Sequence, residues 1–132
     1  MCFSKKMDCE KRHMIKGLGI DIAEIDRVRK IYGRHPRFLE KILNEDEIEV
    51  FNSLNTEKSK MTYLTGRFSV KEAFTKAMGT GLVGIGFHDL SVLNHKSGQP
   101  YIKTDIFEGN IHVSISDTDE LVITEVILEE AD

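Results

Sequence analysis

Tryptophan is absent from these 132 residues, proline occurs twice and cysteine twice, with Cys2 and Cys9 both inside the first thirteen positions. The rest of the chain therefore has no thiol for a disulfide framework, a thiolate metal site or a cysteine nucleophile. No apolar run approaches the roughly 20 residues that span a bilayer, and the N-terminal Met-Cys-Phe-Ser-Lys-Lys has no apolar signal core. The expected location is the cytoplasm. Neither a His-Glu-x-x-His zinc motif nor a Gly-x-Ser-x-Gly nucleophile elbow is present, and His112 stands alone in a strand pattern. Lys and Arg vanish after Lys103, leaving nine carboxylates in residues 105–132, and the chain as a whole carries −4. That balance excludes a general nucleic-acid-coating protein, which needs a basic face to displace counterions from phosphates.

What is present reads as one small α+β domain. Residues 1–13 carry +2 without helical or strand period and are expected to be a disordered extension; the domain is residues 14–132, with a charge of −6. From Met14 the chain alternates, with Leu18, Ile20 and Ile22 on one face and Gly17, Gly19 and Asp21 on the other. This predicts a strand whose aliphatic face is buried. Asp21 is the odd residue, since aspartate is depleted from strands. Residues 24–43 read as helical with a break near Gly33 and Pro36; Asn44 is a candidate N-cap for a helix running to about Leu54, and Thr56 for the longest helix, ended by Gly79.

In the long helix Met61, Leu64 and Phe68 form an apolar stripe whose sector is then taken over by Lys71, Glu72, Thr75 and Lys76, while Val70, Ala73, Phe74 and Ala77 move to the opposite side. A charged patch is expected where the first stripe stops. A glycine-rich segment, residues 79–86, follows the helix and lacks the Lys-Ser/Thr ending of a P-loop, so it reads first as a connector. Strands are predicted at 89–94, 100–103, 111–116 and 121–128, the last two forming a hairpin. The expected fold class is α+β, an antiparallel sheet packed with a long helix and shorter ones.

Glu72 and Lys76, four apart, suit an ordinary surface pair worth a few tenths of a kcal/mol. Joined by Asp21, they would instead make an oxygen-rich site for Mg²⁺, which takes one or two carboxylates plus phosphates and water. Residues 27–41 are basic, with Arg27, Arg34 and Arg37 among six cations against Glu40 alone. Such a run is most often a solvated face, yet on an acidic protein it also steers an acidic partner to one place.

The segments Gly17-Leu18-Gly19-Ile20-Asp21-Ile22, Ile25-Asp26-Arg27, Gly66-Arg67-Phe68-Ser69-Val70-Lys71-Glu72-Ala73-Phe74-Thr75-Lys76-Ala77 and Gly79-Thr80-Gly81 together closely resemble the holo-acyl-carrier-protein synthases. The resemblance covers Met14 to about Glu129, and its second motif is long and specific. It implies transfer of 4′-phosphopantetheine from coenzyme A to a serine of apo acyl carrier protein, releasing adenosine 3′,5′-bisphosphate, in fatty acid biosynthesis. It also implies a homotrimer with active sites at subunit interfaces. By motif, Asp21 and Glu72 bind Mg²⁺ (Mn²⁺ is the alternative ion), Glu72 helps deprotonate the carrier serine, Lys76 assists the leaving nucleotide and contacts coenzyme A, and Arg67 pairs with a coenzyme A phosphate. After Ser116 the family usually has a histidine that contacts the 3′-phosphate, where this chain has Asp117. Arg27, Arg34 and Arg37 are the expected docking residues for the acidic carrier. The rival readings are a non-catalytic subunit that keeps the docking surface and a Mg²⁺-dependent pyrophosphatase with water as acceptor.

Overall fold

The computed structural model describes residues 14–79 and 84–131. The expected extension at 1–13 and the Thr80-Gly81 part of the glycine-rich segment lie outside the described residues. Strand β1 (Ile15–Glu24) leads into helices α1 (Ile25–Arg34), α2 (Phe38–Ile42), α3 (Glu45–Ser53) and α4 (Glu57–Met78). Strands β2 (Leu90–Asn94), β3 (Pro100–Thr104), β4 (Gly109–Asp117) and β5 (Leu121–Glu130) follow. Among the described residues the strands form a three-stranded antiparallel sheet ordered β1-β5-β4 and a separate β2-β3 hairpin.

The helix boundaries follow local chemistry. Pro36 separates α1 from α2, and α3 begins after Asn44, whose backbone N–H donates to Glu47 Oε1 at 2.8 Å. Thr56 Oγ1 accepts from Ser59 N at 3.0 Å to cap α4, which ends on Gly79 in the left-handed region at φ 76°.

Helix α4 lies across the sheet and is buried on nearly every side. Its first half places Met61 and Leu64 in a cluster with Ile25, Val28, Ile42, Leu43 and Phe51. Its second half places Val70, Ala73, Phe74 and Ala77 in another, against Leu90, Val92 and Val126. The change of face read from the sequence is thus real.

Two expectations are corrected. The alternation of β1 is right but its sense is inverted: Leu18, Ile20 and Ile22 are 58–62% exposed, while Gly19 is buried and Asp21 half-buried against α4. The reason is steric, because a Cβ at Gly17 would sit 1.8 Å from Ala77 O and one at Gly19 1.9 Å from Ala73 O. Glycine lets the strand approach the helix backbone, and the aliphatic side chains must point away. Lys71, expected in the charged patch, is instead fully buried, its Nζ donating at 2.7 Å both to Glu47 Oε1 and to Ile42 O. Glu47 Oε2 in turn accepts from Val92 N at 2.8 Å, so the pair ties α2, α3, α4 and β2 together.

Candidate active site

The close glycine contact has a chemical consequence. It brings Asp21, two residues beyond Gly19 on the same face of β1, against the stretch of α4 that carries Ser69, Glu72 and Lys76. The spacings of three and four keep those three side chains on one side of the helix. Lys76 Nζ lies 3.1 Å from Asp21 Oδ1 and donates to Ile20 O at 2.9 Å. Ser69 Oγ donates to Asp21 Oδ2 at 2.7 Å and meets Thr124 Oγ1 of β5 at 2.8 Å. Asp21 is only 14% exposed at its side chain, so its partners matter more than they would in open solvent.

Glu72 completes the carboxylate pair. Partial burial, and next the negative charge of Asp21, push its carboxyl above the ordinary 4.5, partly offset by Lys76.

Asp21 and Glu72 open onto a cleft of about 510 Å³ whose walls include Arg27, Val28, Phe38 and Phe68. A neighbouring groove of about 420 Å³ shares Glu24, Arg27 and Ile31 with it and continues to Lys30, Arg34 and His35. Two of the three expected docking arginines, Arg27 and Arg34, therefore lie on one path leading to the carboxylates. Arg37 is exposed at the start of α2 and lines neither cavity.

The other sequence candidates stand apart from this cleft within one chain. Arg67 is 6% exposed, its Nε donating to Val92 O at 3.2 Å, its NH2 group to Asn94 Oδ1, and its guanidinium 4.2 Å above the Tyr63 ring. Five residues before Glu72, it projects about 140° away around the helix, toward β2. Ser116 lies opposite Ile123 on the outer face of the sheet, and Asp117 is exposed at the end of β4, where its charge acts on Lys58. Ser69 and Thr124 belong to the site and were not among the sequence candidates. The 69, 72, 76 spacing was a readable signal for Ser69, whereas Thr124 became visible only with the pairing of Asp21 and Thr124 across β1 and β5.

An acid pair with a lysine at its side is an arrangement suited to a phosphate-handling class of enzyme, and a family model gives that class a name. The model for the 4′-phosphopantetheinyl transferase superfamily matches residues 17–126, and the chain belongs to that family. More particularly, it is similar to the holo-[acyl-carrier-protein] synthase of Latilactobacillus sakei, at 51% identity over 88% of this chain and 98% of that protein. That of Limosilactobacillus reuteri is 44% identical over 88% and 97%. Among solved structures, a Bacillus anthracis holo-(acyl-carrier-protein) synthase in complex with CoA (3′,5′-ADP) superposes with a TM-score of 0.83 at 38% identity, over 89% of this chain and 99% of that one. The Helicobacter pylori holo-[acyl-carrier-protein] synthase in complex with coenzyme A gives a TM-score of 0.73 at 28% identity, over 84% and 98%.

Proposed function

We propose that this chain transfers 4′-phosphopantetheine from coenzyme A to a serine of apo acyl carrier protein, releasing adenosine 3′,5′-bisphosphate, as a cytoplasmic step of fatty acid biosynthesis. The observation that carries the reading is the pairing of Asp21 and Glu72 in the wall of one cleft, with Lys76 against Asp21 and with Arg27 shared between that cleft and a neighbouring groove.

The donor set fits a hard cation. Asp21 and Glu72 offer only carboxylate oxygens, and among the described residues no group of three or more His, Cys, Asp or Glu forms a full protein cage. Mg²⁺ suits such a half-built site because it completes its shell with substrate phosphate and water, and Mn²⁺ can take the same ligands. When bound, the ion supplies charge neutralisation of the coenzyme A pyrophosphate.

The chain's own residues then account for the proton and the leaving group. The carrier serine oxygen forms a bond to the phosphorus nearer pantetheine while the pyrophosphate bridge breaks, and the serine proton passes to Glu72, directly or through a water. The nucleotide departs as a phosphate whose growing negative charge is met by the Lys76 ammonium, 54% exposed at its side chain and held beside Asp21 by Ile20 O and Asp21 Oδ1. Arg27 and Arg34 in the groove, with Arg37 beyond it, attract the acidic carrier.

The outer face of the sheet supports a homo-oligomer, with the trimer as the family expectation. Leu18, Ile20, Ile22 and Ile123 expose 41–62% of their surface side by side, an apolar patch of the kind that marks protein interfaces. In that assembly Arg67 and Ser116, which lie outside their own chain's cleft, would serve the coenzyme A of a neighbouring copy, while the Asp117 carboxylate would repel its 3′-phosphate.

Incubating the protein with apo acyl carrier protein, coenzyme A and Mg²⁺ and weighing the carrier tests the reading. A gain of about 340 Da, one phosphopantetheinyl group, is expected. Nucleotide release without that gain would mean hydrolysis, and neither event would leave a carrier-binding subunit.

A further inference from the structure

The two oxygens of Asp21 are held in different ways. Oδ1 faces the exposed Lys76 ammonium, while Oδ2 is turned inward to Ser69, which is itself in contact with Thr124. Ser69 and Thr124 are 0% and 1% exposed, so no solvent competes for these hydroxyls. A hydroxyl carries one proton and an ionised carboxylate carries none. Ser69 must spend its proton on Asp21, and the 2.8 Å contact behind it is then donated by Thr124. The polarity is fixed: Thr124 donates to Ser69, and Ser69 donates to Asp21.

Three elements, β5, α4 and β1, each contribute one member of this chain of hydrogen bonds. Glu72 has no counterpart, since among the described residues its carboxylate enters no hydrogen bond or ion pair. Both oxygens of one carboxylate of the site are held, and those of the other, half-buried beside Asp21 and Lys76, are not.

We infer that Ser69 and Thr124 are positioning residues that lock Asp21 with Oδ2 inward and Oδ1 presented to a divalent cation, an inference that rests on Asp21 being a ligand. The division of labour matches the roles assigned above. A ligand that only binds gains from a fixed orientation, whereas a carboxylate that must also take a proton needs room to turn. Loss of an outer hydrogen-bond partner of a metal ligand typically costs 10–100-fold in metal affinity or activity, so the hydroxyls at 69 and 124 should govern cation affinity before they govern coenzyme binding.

The test is a Mn²⁺ titration of the folded protein with coenzyme A present at a fixed level, following free Mn²⁺ by electron paramagnetic resonance against a coenzyme-only blank. Ser69→Ala and Thr124→Val should each weaken Mn²⁺ binding about tenfold or more, and Thr124→Ser, which keeps the hydroxyl, should restore it. Thr124→Val preserves the shape of the buried side chain and carries the test if Ser69→Ala fails to fold. The Mg²⁺ concentration giving half-maximal transfer should rise in step, with KM for coenzyme A at saturating Mg²⁺ unchanged. Wild-type Mn²⁺ affinity in both Ser69→Ala and Thr124→Val overturns the inference while leaving the metal reading intact. Absence of Mn²⁺ binding by the wild-type protein overturns both.

Discussion

Gly19→Ala should separate stability from chemistry in a way few single substitutions can. The added Cβ would lie 1.9 Å from Ala73 O and 2.8 Å from Ala77 N, where real contacts stay above 3.0 Å. Both obstacles are backbone atoms of a buried helix, so no side chain can swing aside and β1 must retreat by about 1 Å or more. Overpacking of this kind costs about 1–3 kcal/mol, which in a domain of this size lowers Tm by roughly 4–15 °C. The catalytic effect should be larger. Asp21 rides two residues further along the same face, and a 1 Å misplacement of a reacting group can cost about 100-fold in rate. Thermal unfolding and initial rates of transfer on the purified variant measure the two effects. Gly33→Ala is the control, since nothing lies within 4 Å of its added carbon, and both quantities should stay close to wild type. A Gly19→Ala protein with unchanged Tm and an unchanged rate would refute the claim that glycine is required for the close approach of β1 to α4.

The buried pair of Glu47 and Lys71 should behave as a unit: Lys71→Met leaves a buried carboxylate without its cation and should cost about 3–5 kcal/mol by denaturant titration, while adding Glu47→Gln should recover at least half of that loss. Equal stability of Lys71→Met and wild type would contradict the pairing. Because burial and Asp21 raise the Glu72 carboxyl above 4.5, the folded chain binds that proton more tightly than the unfolded chain, so the group's stabilising contribution is full below the ordinary carboxylate range and is lost as pH rises through the raised folded value. Without metal, Glu72→Gln should therefore match or exceed wild-type Tm at pH 7, while in the Mg²⁺-containing assay its transfer is abolished, and a large loss of Tm would show a structural role instead. Arg27→Glu should raise carrier KM steeply at low salt, and less at high salt, with coenzyme A binding retained; a carrier KM insensitive to the reversal would remove Arg27 from the docking surface.

Much of the architecture could be read from local signals. Pro36, Asn44, Thr56 and Gly79 punctuate the helices where their chemistry requires, and the turn between β4 and β5 falls at the polar residues 118–120. The motif around Glu72 gave the acid, the lysine and the family together. The face of β1 was not legible from its own pattern, because periodicity distinguishes two faces without saying which is buried. Leu18, Ile20 and Ile22 look like core until the backbone of α4 is found where their partner face would have to be. Lys71 misled for a related reason: a helical projection places it beside Glu72, and only Glu47, 24 residues earlier, explains how a lysine can be wholly buried. Arg67 shares a motif with Glu72 but not a surface, since adjacency in sequence on a helix is not adjacency in direction.

The edge position of β1 also bears on how the protein stops working. Among the described residues β1 pairs with one strand only, β5, whereas α4 is enclosed by packing along nearly its whole length. Backbone amides in the middle of α4 should be among the last to exchange with solvent, while those of β1, packed on α4 by one face and exposed on the other, open at lower cost. The half of the site that holds Glu72 and Lys76 is thus anchored in the slowest-opening part of the fold, and the half that holds Asp21 on an edge strand. On warming, activity should fade through a local opening that parts the two carboxylates, well before the chain as a whole unfolds, and anything that covers the free edge and outer face of β1 would raise the temperature at which function is lost without touching a catalytic atom.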